Sequence, residues 1–457
     1  MEKTKEIDMT EGPLFRKIVA FSLPLMLSGV LQLLFNAADT VVVGRWASDT
    51  AMAAVGSTGA LINLIVNMLI GLSVGTSVAT AYFYGANREK DVSETIHTSV
   101  VISLVGGIVV GLLGFIFSKT FLIWMASPEN VIEQSALYMK IYFLGLPASM
   151  VYNFCAAVLR AVGDTKRPLI YLTIAGVVNV ALNVVLVCFF DMDVAGVAIA
   201  TIASQIVSAI LVVRCLMKRE DCCKLIIRSL CIKKDKLSRI LRVGIPAGLQ
   251  GSVFSLSNVL IQSSVNSFGD IVMSGNAAAS NIEGFVYIAM NSLYHAALTF
   301  TGQNVGAKKF HRIKKVFFYC LGCVVVIGLV LGNLCYFFGP ELISIYKPNA
   351  PDVIEWGMRR LAIISTTYFL CGLMEVFVGS LRGMGASMIP MIVSTLGACG
   401  IRILWIETIF ASIGTIESLY WSYPISWLIT SAAHLICYII IKRNLIRRNS
   451  YPEDSTL

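Results

Sequence analysis

Along the whole chain, apolar runs about as long as a bilayer crossing alternate with short polar breaks. A helix needs about 20 mainly apolar residues to span the hydrocarbon core. On that measure the pattern predicts twelve spans, over residues 14–43, 51–84, 95–118, 132–159, 168–190, 195–217, 240–267, 276–303, 316–338, 354–381, 388–410 and 416–441. Even the longest break, Lys218 to Arg239, is too short for a soluble catalytic domain. The expected fold class is therefore an all-α integral membrane protein. The first apolar run, Phe15 to Val43, exceeds the core of a signal peptide and has no small-residue cleavage site after it, so this helix is expected to be retained.

The polar breaks differ in sign. Alternate ones carry Arg16 and Lys17, Arg88 and Lys90, Lys166 and Arg167, Lys218 through Arg242, Lys308 through Lys315, and Lys442 through Arg448. The others carry Asp49, Glu129, Glu133, Asp191, Asp193, Asp270, Glu341 and Asp352, with Arg45, Lys119 and Lys347 as their few bases. Because basic loops stay in the cytoplasm, both termini and the central loop are expected there, in a multi-pass protein of the cell membrane.

The two halves repeat at a spacing near 222. Leu159-Arg160-Ala161-Val162-Gly163 recurs as Leu381-Arg382-Gly383-Met384-Gly385, Pro24 as Pro246, Pro168 as Pro390, and Gly85-Ala86 as Gly306-Ala307. With a small shift, Met52-Ala53-Ala54 recurs as Asn276-Ala277-Ala278. A nearly constant offset over six spans means duplication. It predicts a first six-helix bundle over 1–217, a cytoplasmic linker over 218–239 and a second bundle over 240–457. Since both halves start on the same side, their pseudo-twofold is expected along the membrane normal.

Composition agrees: 56% of residues are hydrophobic and only 14% charged, far from a soluble domain. The net charge of +9 is explained by the basic loops, so no nucleic-acid partner is expected. The expected partners are the bilayer and small-molecule substrates, and the chain is expected to act as a monomer. Of the twelve cysteines, Cys155, Cys188, Cys371 and Cys437 fall in apolar segments, as small hydrophobes do. Cys320-x-x-Cys323 lies mid-span without a second ligand pair, so no metal or other cofactor is expected beyond a coupling Na⁺ or H⁺. Five G-x-x-x-G pairs, starting at Gly71, Gly107, Gly244, Gly328 and Gly379, read as close helix contacts, and Pro24, Pro147, Pro246 and Pro424 as kinks or hinges.

Charges inside spans are costly and usually face a cavity or a partner. Asp39 lies about six residues inside the outer loop marked by Arg45 and Asp49, roughly 10 Å deep. Asn183, eight residues before Asp191, and Thr201, eight after Asp193, fall at a similar depth, with Asn179 one turn below Asn183 on the same face. One carboxylate among neutral oxygens suits a hard cation or an exchangeable proton; alternatively these amides and the hydroxyl only bond between helices. In the second half Glu283 and Arg402 share the outer level and are expected to pair, while Glu375 lies above Arg382; these are second-lobe candidates. Met26, Gln32, Asn36, Tyr152, Asn153, Gln250, Tyr287 and Met290 are candidate linings of a substrate cavity, although Met and aromatic side chains are also ordinary helix filler.

Leu23-Pro24, Asp39-Thr40 with Gly44-Arg45, Ala53-Ala54-Val55-Gly56, Gly85-Ala86-x-Arg88 and the paired Leu-Arg-x-x-Gly motifs give the chain a resemblance, over its whole length, to the multidrug and toxic compound extrusion family. That resemblance implies antiport of amphipathic, often cationic compounds against Na⁺ or H⁺. Asp39, Asn179 and Thr201 look like the first-lobe site of archaeal and DinF-like members, with Asn183 where some have a second aspartate. The seventh span has no acid between Arg242 and Asp270, unlike the NorM branch. A flippase for a lipid-linked precursor is the alternative, but it would want a more cationic cavity than Arg402 supplies. A membrane enzyme would need clustered His, Asp or Ser, whereas His97, His295, His311 and His434 are scattered, and no repeated filter suggests a channel.

Overall fold

The structure is a computed structural model that describes residues 6–46, 48–125, 129–348 and 350–450. The side chains of Arg45, Asp49, Met52, Ala53, Glu129 and Arg448 lie outside what is described. Among the described residues there are helices and no strands. The twelve long rods are α1 (Leu14–Trp46), α2 (Asp49–Gly85), α3 (Glu89–Trp124), α4 (Glu129–Ala161), α5 (Lys166–Phe189), α6 (Asp193–Met217), α7 (Lys234–Asn266), α8 (Asp270–Gly306), α9 (Phe310–Phe337), α10 (351–383), α11 (Met388–Ile413) and α12 (Ile416–Ser450). A short helix, Gly339–Tyr346, precedes α10, which bends by 44° between Ser365 and Phe369. By length and composition nine of these helices can cross a membrane, ten with the bent α10 taken as one span. The two that fall short are α7, which opens on charges and carries Gln250, Ser257 and Gln262, and α8, rich in Asn, Ser and Gly. Some of their polar residues, such as Gln250, Ser257 and Asn276, are buried against protein, while Gln262 and Asn281 are exposed.

The helices follow membrane rather than soluble packing rules. In α3 the buried stripe is Thr95, Ser99, Ser103, Gly107, Gly111 and Ser118, small residues one turn apart, while Leu112, Leu113, Ile116 and Phe117 point outward. Lipid tails attract these apolar chains as well as protein does, so helices associate where small residues let backbones approach. All five G-x-x-x-G pairs serve this purpose. A methyl on Gly71 or Gly248 would overlap the other helix's backbone, which brings α2 against α7. Gly107 and Gly111 seat α3 on Pro147 and Phe143 of α4, Gly328 and Gly332 seat α9 on α10, and Gly379 and Gly383 seat α10 on α8.

The chain forms two compact units, cut inside α1 and α7 rather than between α6 and α7. Among the described residues, the first comprises those in 6–7 and 27–248, the second those in 8–26 and 249–450. Each cut falls just past an in-helix proline, Pro24 or Pro246, where a missing N–H weakens the hydrogen-bond ladder. In the first unit the segment after α6 folds back onto α3: the backbone N–H of Ile226 donates to His97 Nε2 at 3.1 Å, and Arg219 pairs with Glu6 and Asp221. In the second unit the residues before α1 are held by α8 and α9, where Asn304 donates to the carbonyl of Met9 at 3.1 Å and Arg312 to those of Glu11 and Gly12. All twelve cysteines are free.

A carboxylate–amide site in the first unit

Where α1 passes α5, the contact is made by one stripe on each. On α5, Gly176, Asn179 and Asn183 follow one another at spacings of three and four, hence on one face. On α1 the facing residues are Phe35 and, one turn on, Asp39. Gly176 leaves room for the Phe35 ring, which a methyl there would overlap. That close approach brings Asn183 Nδ2 to 2.5 Å from Asp39 Oδ1, with Asn179 Oδ1 at 3.4 Å from the same nitrogen. Asn183 and Asn179 are buried, whereas Asp39 keeps partial access. The Oδ1 of Asn183 is buried and has no hydrogen-bond partner. Directly after Asn183 the helix widens into π turns over Val184–Phe189, a rare distortion that recurs at functional sites. Past the π turns, Asp193 opens α6 and accepts from the N–H and hydroxyl of Ser48, at 3.0 and 2.8 Å.

Thr201 stands apart from this chain of bonds. Its hydroxyl donates to the carbonyl of Val197 on its own helix at 2.9 Å, so similar depth does not become contact. Gln32 and Asn36 are exposed on α1 and continue the polar line toward Asp39. Tyr152, half-buried, donates to the carbonyl of Pro168 at 3.2 Å, and Asn153 to that of Ser149 at 2.8 Å.

The second unit corrects one expected pair. Glu283 binds Arg360, not Arg402: Nη2 of Arg360 lies 2.7 Å from Glu283 Oε2, and Nη1 donates to Asn276 Oδ1 at 2.7 Å. Tyr420 donates to the same Asn276 oxygen at 3.3 Å, and Asn276 donates to Gln262 at 3.1 Å. The misassignment arose because depth along the normal says nothing about rotation around a helix axis. Arg360 lies in the tenth span beside Arg359, on the buried face that Val353 and Gly357 set at ordinary helical spacing. Arg382 donates to Tyr294 at 2.6 Å and Gln250 at 2.8 Å, which makes Gln250 part of a buried arginine's shell. Glu375 is half-buried and, among the described residues, makes no hydrogen bond or ion pair. Met26 is half-buried, Tyr287 is exposed, and Met290 is enclosed between Gly328 and Gly372 as filler. His434 meets the Ser394 hydroxyl through Nε2 at 3.0 Å, while its buried Nδ1 has no hydrogen-bond partner.

A duplicated, twelve-helix membrane protein with one carboxylate–amide cluster in its first unit is the architecture of a polytopic transporter. The MatE family model matches residues 24–185 and again 246–406, and the chain belongs to that multidrug and toxic compound extrusion family. Both matches begin at the prolines Pro24 and Pro246 that open the sequence repeat. Among relatives, the chain is 30% identical over 396 residues, 85% of each protein, to the probable multidrug resistance protein YoeA of Bacillus subtilis. It is 24% identical over 439 residues, 95% of each, to the multidrug export protein MepA of Staphylococcus aureus. A solved MOP-superfamily transporter from Pyrococcus furiosus superposes with a TM-score of 0.90 over 98% of this chain and all of that one, at 20% identity, so the fold is shared.

Proposed function

We propose that the protein is a cation-coupled exporter of amphipathic, often cationic compounds that works by alternating access in the cell membrane, with both termini cytoplasmic. The observation that carries this is the Asp39–Asn183 contact at 2.5 Å: a lone carboxylate inside a span, held by a neutral amide and not by a fixed cation. Its charge is therefore free to be answered by a mobile one. Asp39 and the amide oxygens of Asn179 and Asn183, the latter without a partner, suit a hard cation such as Na⁺ with water completing the shell. A proton on Asp39 has the same electrostatic effect. Either event removes the negative charge that attracts a cationic compound. A membrane potential supplies about 2.3 kcal/mol per charge per 100 mV, enough to bias two states a few kcal/mol apart. The names of YoeA and MepA support the export reading. Placement in the DinF-like branch is supported by Asp39 and by the lack of an acid between Arg242 and Asp270.

In proteoliposomes carrying the purified chain, a pH or Na⁺ gradient imposed separately is expected to drive ethidium transport. Asp39→Asn, which keeps the side-chain shape, reduces it to passive leak without lowering insertion. Wild-type rates in Asp39→Asn together with a dead Glu375→Gln variant would move coupling to the second unit.

A further inference from the structure

Outside the spans of the first unit, among the described residues, two groups of ligand-type side chains stand out, and they differ in access. Asp91, Glu94 and Asp235 bring three carboxylates together, but the ammonium of Lys236 sits among them as a built-in cation. The other group lies on the segment that follows α6. There the sulfurs of Cys222 and Cys223 are 4.0 Å apart. A turn fixes them. The N–H of Cys223 donates to Asp221 Oδ1 at 3.0 Å, and that of Lys224 to the Asp221 carbonyl at 3.0 Å. The N–H of Leu225 donates to the carbonyl of Leu216, in the last turn of α6, at 3.1 Å. Cys223 is buried in an apolar cluster with Phe83, Val92 and Leu216. Cys222 is half-buried and stands in the wall of a cavity of about 520 Å³. Glu89, the first residue of α3, stands in the same wall and acts through space on the Cys222 sulfur. Asp221 is taken by Arg219, whereas Glu89 makes no ion pair among the described residues.

Apolar packing accounts for Cys223 as a small hydrophobe. It does not account for a second thiol beside it that opens on a cavity. Two sulfurs held by one tetrahedral ion, with bonds of about 2.3 Å, lie about 3.8 Å apart. The observed 4.0 Å is nearly the spacing of a chelating pair. Thiolates select soft ions over hard ones such as Mg²⁺. The buried Arg219 acts on both sulfurs, and its positive charge favours the thiolates that a metal requires. We propose that Cys222, Cys223 and Glu89 form a binding site for a soft divalent cation of the Zn²⁺ and Cd²⁺ class, with water from the cavity as the fourth ligand. The ion replaces the two thiol protons, which pass to solvent, and the sulfurs are not oxidised. It joins the segment after α6 to the first turn of α3.

The test titrates the full chain, reduced and held in nanodiscs of neutral lipid, with cadmium chloride alone. The readout is the ultraviolet thiolate-to-cadmium charge-transfer band. The wild-type protein is expected to bind one Cd²⁺ with this band. Cys222→Ser and Cys223→Ala each remove it. Glu89→Gln keeps the band and binds about tenfold more weakly, the scale of one lost charged contact. Excess Zn²⁺ displaces the cadmium and excess Mg²⁺ does not. Cys320→Ser, in the Cys-x-x-Cys of a span, leaves the band unchanged. Cys222 is half-buried, so Cys222→Ser serves if Cys223→Ala does not fold. A wild-type protein without the band, or a band that survives either substitution of the pair, overturns the proposal. So does an unchanged affinity in Glu89→Gln, displacement by Mg²⁺, or loss of the band in Cys320→Ser. Binding is read without any gradient, so the result stands apart from the exporter reading.

Discussion

At the residue scale, the two intramembrane carboxylates with named partners do different things. Asp39 meets the neutral amide of Asn183 and, among the described residues, no cation within ion-pair distance. Glu283 is held by Nε and Nη2 of the buried Arg360 guanidinium and is part of the scaffold. Removing one partner of a buried ion pair leaves an uncompensated charge and costs about 3–5 kcal/mol, whereas replacing both with apolar side chains is often neutral. Glu283→Gln is therefore expected to lower the melting temperature sharply in detergent, and Glu283→Leu combined with Arg360→Met to recover most of it. A double variant less stable than either single would show that the pair is needed for more than mutual neutralisation. Asp39 and Asn183 were legible in the sequence because each could be measured from a loop, at Asp49 or at Asp191. Arg360 was not, because loop-measured depth does not report which face of a helix turns inward, here the face of Val353, Gly357 and Arg360. The Thr201 hydroxyl donates to its own helix, at the carbonyl of Val197, and not to the cluster.

At the element scale, helix contacts depend on small residues rather than on large apolar ones. The test separates glycines by what surrounds them. Gly248→Ala places a methyl against the backbone of Met68 on α2, and overpacking of this kind costs about 1–3 kcal/mol. Gly322→Ala in α9 meets nothing and replaces the weakest non-proline helix former, so it is expected to be stabilising by about 0.5–1 kcal/mol. Fluorescence-detected size exclusion after graded heating should rank Gly248→Ala below the wild type and Gly322→Ala at or above it. The reverse order would mean that α2 and α7 do not need this close approach. The five G-x-x-x-G pairs were readable as packing signals from spacing alone, but which helix each would meet was not.

At the scale of the whole molecule, duplication is the organising fact, since one family model fits residues 24–185 and again 246–406. The alternation of basic and acidic breaks makes a topology prediction. In a background with accessible native cysteines replaced, an impermeant maleimide added from outside should label Asp191→Cys and Asp270→Cys and miss Lys234→Cys. Labelling of Lys234→Cys alone would invert the orientation and the inferred direction of transport.

The sequence alone determined the helical membrane class, the twelve-helix layout and the repeat. Each follows from properties additive along the chain: hydropathy per span, charge per loop and residue offset. Tertiary structure decided what rotation and kinks control. It drew the compact units through α1 and α7 at Pro24 and Pro246, gave Glu283 to Arg360, and joined Asp39 to Asn183 across the gap left by Gly176. Linear spacing reports how deep a side chain lies, but which neighbour it meets depends on how two helices turn toward each other, and that is set by contacts far apart in the chain.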